Sequence, residues 1–156
     1  MKTVQDILYR VDIGGIIGKT STEVVAVIFD SRNVIKNSMY VAKKGILYDG
    51  HDFISQAIEY GAQSIVCEQL PLHRIKGIVY VLVSNSSKAL GIIASNFYNN
   101  PSSQLTLVGV TGTNGKTTIS SLLYELFSKE GYVSGLLSTV KICYDKKILN
   151  TTLTTP

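Results

Sequence analysis

Apolar positions along this chain switch repeatedly between two spacings. Val4, Ile7, Leu8 and Val11 recur at three- and four-residue intervals behind Thr3, which predicts a short capped helix. Residues 24–29, Val-Val-Ala-Val-Ile-Phe, form a β-branched apolar run that predicts a strand, and residues 39–42 predict a second. Ile54, Ala57 and Ile58 return to helical spacing, with Gly61 as the stop. Residues 64–67 read as a strand. Residues 78–83 are continuously apolar, as in a strand covered on both faces. Asn85 is placed to cap a helix whose apolar positions are Leu90, Ile93, Ala94 and Phe97. Strands alternating with helices predict an α/β fold with a mainly parallel sheet and crossover helices.

The pattern breaks at Asn99-Asn100-Pro101-Ser102-Ser103, where Pro101 disfavours helix at Asn100. A domain boundary is expected here, giving a small α/β domain over 1–100 and the start of a second over 104–156. The second is expected to open with a strand over 105–110, a glycine-bearing loop over 111–115, and a helix from Lys116. Ile119, Leu122, Leu123, Leu126 and Phe127 form that helix's apolar stripe, and Gly131 ends it. A strand over 132–137 and a hairpin around Asp145-Lys146 complete the reading. A parallel sheet needs both faces covered, and so few elements cannot do it, so the second domain is expected to be incomplete as given.

Composition narrows the function classes. Charged residues are 17% and apolar residues 45% of the 156, too much apolar surface for a disordered chain. No apolar run reaches the ~18 residues of a membrane span, and residues 1–6 lack the pattern of a signal peptide, so the expectation is a soluble cytoplasmic protein. The net charge of +4 is dispersed, which gives little support to nucleic-acid binding and suits a small anionic ligand equally well. Cys67 lies within an apolar run and reads as a buried core thiol. Two distant cysteines make neither a zinc site nor a disulfide framework.

The chemistry concentrates in Gly109-Val110-Thr111-Gly112-Thr113-Asn114-Gly115-Lys116-Thr117-Thr118. A glycine-bearing loop between an apolar strand and an amphipathic helix is where a phosphate loop belongs. Glycines let backbone N–H groups approach phosphate oxygens, and the helix N-terminus adds unpaired donors and partial positive charge. Lys116 is placed to neutralise terminal phosphates, and Thr117 to present a hydroxyl to Mg²⁺. The general phosphate-loop pattern begins with Gly where this chain has Val110, so the turn is built as a variant, with glycines at 109 and 112.

That variant, Thr111-Gly-Thr-Asn-Gly-Lys-Thr-Thr118, closely resembles the ATP loop of the Mur ligase family, and folylpolyglutamate synthases share much of it. The preceding domain selects between them. Asp30-Ser31-Arg32, residues 39–42, Asp49-Gly50-His51-Asp52-Phe53, Gln56-Ala57, Gly61-Ala62 and Val66-Cys67-Glu68 resemble the N-terminal domain of the Mur ligases that add the third residue of the peptide stem. The resemblance implies an ATP-dependent ligase of peptidoglycan synthesis, acting on UDP-N-acetylmuramoyl-L-alanyl-D-glutamate through an acyl phosphate. The added amino acid is diaminopimelate or lysine, a choice made in a C-terminal domain.

The resemblance further implies ATP binding at Gly112, Thr113, Asn114, Gly115, Lys116, Thr117 and Thr118. Lys116 is then the catalytic residue and Thr117 a Mg²⁺ ligand. Substrate contacts fall on Phe29, Ser31, Thr154 and Thr155, and residues 46–48 occupy a nucleotide-contacting stretch. Arg32 pairs either with diphosphate or with Asp30. His51, with no acid assigned to it from the sequence, and His73 read as structural and solvated respectively. The chain is expected to be an inactive N-terminal portion, monomeric, with neither nucleic-acid nor membrane partners. The alternatives are a non-catalytic UDP-sugar-binding module and a related ligase such as a folylpolyglutamate synthase.

Overall fold

The computed structural model describes residues 2–45, 48–144 and 147–150. The chain divides into two compact units, Met1–Leu105 and Thr106–Pro156.

The first unit opens with β1 (Lys2–Thr3) and the one-turn helix α1 (Val4–Ile7). Four residues form no stable helix alone, and side chains hold this one at both ends. Thr3 and Asp6 make a reciprocal capping box. At the other end the buried Asn96 amide donates to the Ile7 and Tyr9 carbonyls at 2.8 and 2.6 Å. Next come β2 (Ile13–Ile17), β3 (Glu23–Val24) and β4 (Val27–Ile28). The single strand expected over 24–29 is therefore two. Val24 pairs with Lys2 of β1, and Val27 and Ile28 pair with the following strand; the chain changes partner at Val25-Ala26.

That following strand, β5 (Ser38–Val41), leads through α2 (Ile54–Glu59) to β6 (Ala62–Cys67) and then β7 (Val79–Val83). The sheet order is β2-β7-β6-β5-β4; β4 to β7 run parallel, and β2 closes one edge antiparallel to β7. The parallel core matches the sequence expectation. The edge strand β2 was not expected, because Gly14 and Gly15 interrupt its apolar pattern.

Alternation along β5 divides the core. Met39 and Val41 join the layer containing α1 and α3 (Ser86–Phe97), with Val66, Val81 and Ile93. Tyr40 and Ala42 join the α2 layer, with Ile54, Ala57, Ile65 and Cys67. Cys67 is fully buried as expected, and burial pushes its thiol up to about 11. Asn85 caps α3 through Lys88 N–H, as its sequence position requires. The helix ends in a Schellman motif: Asn99, at φ 63°, donates to Asn96, and Asn100 donates to Ser95.

The second unit holds α4 (Lys116–Lys129), β8 (Gly135–Leu137), β9 (Lys141–Tyr144) and β10 (Lys147–Asn150). The β9–β10 hairpin matches expectation, with Lys147 opposite Tyr144. The strand expected over 105–110 is not formed: no strand pairs with it among the described residues, and Leu107 and Val108 are exposed. Nor is a parallel pair made here, since β8 turns directly into β9 and so short a connection permits only antiparallel pairing. The stripe on α4 exists, but Ile119, Leu122, Leu126 and Phe127 remain exposed among the described residues. No described helix is long and apolar enough to cross a membrane.

Candidate nucleotide and nucleotide-sugar sites

Two groups of residues carry recognisable chemistry, one in each unit. In the second unit, Gly112 (φ 146°) and Gly115 (φ 77°) give the loop its path, using backbone conformations that side chains disfavour. Gly115 is the N-cap of α4 and supplies no side chain to the first turn, so the leading N–H groups point outward without a side-chain acceptor. The Lys116 ammonium folds back over this loop onto the carbonyls of Gly112 and Thr113, the latter at 3.1 Å. Thr113, Asn114 and Thr118 are exposed, and Thr117 is half-buried. Positive charge, free N–H donors and a neighbouring hydroxyl are thus brought together at one helix end. That arrangement fits a polyphosphate, and the Thr117 hydroxyl fits a hard divalent cation.

In the first unit the expected substrate residues follow β4. Phe29 is 59% exposed, whereas Ser31 is buried and donates to Gln56 Oε1 at 3.0 Å. The Ser31 hydroxyl proton is thus engaged by α2. Of its two expected partners, Arg32 here holds Asp30, gripping both carboxylate oxygens with its terminal nitrogen at 2.6 Å. That guanidinium pulls the Asp30 carboxyl down to about 2. Thr154 and Thr155 lie outside the described residues, as do Ile46 and Leu47.

The segment after β5 leaves the same end of the sheet. Its base is pinched: Gly50 N–H donates to the Lys43 carbonyl at 2.9 Å, and a Cβ on Gly50 would stand 2.7 Å from that residue's backbone. The fully buried Tyr40 donates its hydroxyl to the Gly50 carbonyl at 3.0 Å, and burial pushes that phenol up to about 12. Above the pinch, Lys44 pairs with Asp49, and Gly45 donates to Tyr48. Lys43, Lys44 and Tyr48 are exposed. Parallel strand ends of this kind are where open α/β sheets bind ligands.

A set of residues that the sequence left unassembled supports this segment. His51 does have an acid: its Nδ1 lies 2.6 Å from Asp49 Oδ1. Its Nε2 accepts the Glu68 N–H at 2.8 Å, so the ring proton sits on Nδ1 and donates to Asp49. Glu68 in turn accepts from the backbone and hydroxyl of Ser86, both at 2.8 Å, which holds its carboxyl below the usual range. Asp49 is lowered likewise, chiefly by the His51 backbone N–H. With both ring nitrogens engaged, His51 has no free site for proton transfer, consistent with a structural role. The spacing of Asp49 and His51 is a readable signal, a carboxylate two residues ahead of an imidazole at a helix start, but the Glu68 contact needs the fold.

Comparison with known proteins agrees with this division. Residues 110–156 match the family described as Mur ligase middle domain, and residues 23–98 match that described as Mur ligase family, catalytic domain. The chain is 49% identical over 154 residues to the UDP-N-acetylmuramoyl-L-alanyl-D-glutamate--2,6-diaminopimelate ligase of Cytophaga hutchinsonii, covering 98% of this chain and 32% of that one. It is 44% identical to the ligase of the same name from Phocaeicola vulgatus, with the same coverage of 98% and 32%. Among solved structures, the MurF ligase of Thermotoga maritima in complex with ADP matches with TM-score 0.54 at 33% identity, over 70% of this chain and 24% of that one. A 2,6-diaminopimelate ligase structure matches in fold with TM-score 0.69 at 20% identity, over 94% of this chain and 29% of that one. The chain thus spans about a third of the length of the curated relatives it matches.

Proposed function

Because this chain belongs to the Mur ligase family, we propose that it is the nucleotide-sugar- and ATP-binding part of a cytoplasmic ligase of peptidoglycan synthesis. That ligase joins an amino acid to UDP-N-acetylmuramoyl-L-alanyl-D-glutamate; diaminopimelate is the one in its relatives' names. In this reading residues 1–100 hold the UDP-sugar, and residues 104–156 begin the ATP-binding domain. The observation that carries it is the loop over 112–118, with left-handed Gly115 opening α4 and Lys116 and Thr117 directly after it.

The reaction proceeds by transfer of the γ-phosphoryl group to the D-glutamate carboxylate, then attack of the incoming amine on the acyl phosphate with loss of phosphate. Phosphoryl transfer needs positioning and charge neutralisation more than covalent help. The free N–H groups at the start of α4 hold phosphate oxygens. Lys116 exchanges its loop carbonyls for the anionic β- and γ-oxygens. Mg²⁺, when bound with the Thr117 hydroxyl as a ligand, supplies further neutralisation. Phe29 and Ser31 hold the uridine end, and Thr154 and Thr155 the muramoyl-peptide end.

Isothermal titration of this chain with UDP-N-acetylmuramoyl-L-alanyl-D-glutamate and, separately, Mg·ADP tests the reading. Saturable binding of both is expected, with no tripeptide formed from ATP by the chain alone. Lys116→Ala should weaken Mg·ADP about tenfold or more, as loss of a charge-assisted phosphate contact does, and leave the nucleotide-sugar affinity unchanged. Failure to bind either ligand would overturn it.

A further inference from the structure

The exposed segment above β5 is held at its base by the Gly50 contacts and across to β6 by His51. Residues 43–49 bury no side chain among those described, and their internal bonds are the Lys43–Gly50 pinch, the Lys44–Asp49 pair and the Gly45–Tyr48 turn. A hairpin this short does not fix its own conformation. Its far side is tied to the body of the domain through Asp49, which accepts the His51 backbone N–H at 2.9 Å on Oδ1 and the Asp52 N–H at 3.2 Å on its carbonyl, and the His51 ring adds the link that reaches the end of β6. His51 Nδ1–H donates to Asp49 at 2.6 Å, and Nε2 accepts the Glu68 N–H at 2.8 Å, at the end of β6. Glu68 is itself fixed by Ser86 at the start of α3. The ring side chain is only 16% exposed, so water competes poorly for these bonds.

We propose that His51 is a positioning residue for the nucleotide-sugar site: the Glu68–His51–Asp49 connection sets Lys43, Lys44, Tyr48 and Asp49 in the arrangement that receives the ligand's nucleoside-diphosphate end. The inference rests on the functional reading above. His51 touches no ligand in this account; it transmits the rigid geometry of the β6–α3 junction to a segment that carries Lys43, Lys44 and Tyr48. The phosphate loop over 112–118 shares no residue with this connection, and so serves as an internal control.

The test uses the full chain with His51→Phe, which fills the ring's space and removes both bonds, and with Asp49→Ala and the double variant. Amide hydrogen exchange is expected to accelerate about tenfold at Gly45 and Gly50 in each single variant, with Val66 and Val81 in the sheet unchanged. The dissociation constant for UDP-N-acetylmuramoyl-L-alanyl-D-glutamate should rise about tenfold while that for Mg·ADP stays within twofold. The double variant should be no worse than Asp49→Ala alone, which removes both the bond to the ring and the cap to the His51 backbone N–H. His51→Asn, which keeps an N–H near Asp49, should recover part of the affinity; with Asp49→Ala it carries the test if His51→Phe does not fold. Unchanged loop exchange and unchanged nucleotide-sugar affinity in His51→Phe would overturn the inference while leaving the ligase reading intact. Equal loss of Mg·ADP binding and of sheet protection would also overturn it, by showing a general structural role. No nucleotide-sugar binding by the unaltered chain would overturn both.

Discussion

Tyr40 is a large residue whose value lies in one atom. Its ring fills the α2 layer, and its hydroxyl supplies the half-buried Gly50 carbonyl with a donor. Tyr40→Phe leaves that carbonyl unpaired, so a loss of about 1–2 kcal/mol is expected in urea denaturation. Asn96 acts similarly for α1, and Asn96→Ala, which orphans two carbonyls, should cost about 2–3 kcal/mol by the same measurement. Four carboxylates, Asp6, Asp30, Asp49 and Glu68, have folded pKa values below their ordinary ones. A depressed folded pKa gives stability that is present above the unfolded value and lost as pH falls through the folded one. Thermal melts should therefore hold steady above about pH 5 and fall from about pH 4 down to pH 2, the window between an ordinary carboxylate and Asp30. The Arg32 side chain is 82% exposed, so Asp30→Asn should change the neutral-pH melting temperature little.

At the scale of elements, tight turns decide whether helices and strands meet. Gly61 ends α2 at φ +105°, and a Cβ there would stand 2.9 Å from the Lys36 Cα. Gly61→Ala is expected to cost about 1–3 kcal/mol, from backbone strain plus a contact that cannot relax, readable as a lower urea midpoint at constant slope. The sequence made such elements legible where the pattern was local. Asn85 and Thr3 were placed as caps because a cap is defined within four residues, and β5, β6 and β7 because buried parallel strands read as apolar runs. It misplaced residues 24–29 because a change of strand partner leaves no mark on hydrophobicity. It put a strand at 105–110 because an apolar run becomes a strand only when another pairs with it. The glycine-bearing loop and the helix that follows it were legible for the opposite reason: all their signals sit within ten residues. The Glu68–His51–Asp49 connection was hidden because His51 and Glu68 are seventeen positions apart, with a crossover helix between them.

For the whole molecule, the two units differ in how much of themselves they cover. The first buries two continuous layers, whereas α4 buries none of its residues. Amides of β5, β6 and β7 should accordingly exchange orders of magnitude more slowly than those of α4, and a dye that binds apolar surface should report on the second unit. Ile93→Ala, which empties a fully buried position between α3 and the sheet, should cost about 2–5 kcal/mol in the first unit.

The pinch at Gly50 carries one more implication. Since the chain re-enters the body of the domain where it left, against the Lys43 backbone, the stretch between is a cassette whose two feet are already tied together. Residues can be inserted or exchanged within it at small entropic expense without disturbing the strand order beneath. An engineer seeking altered ligand preference has there a natural place to graft, provided glycine is kept at the hinge point.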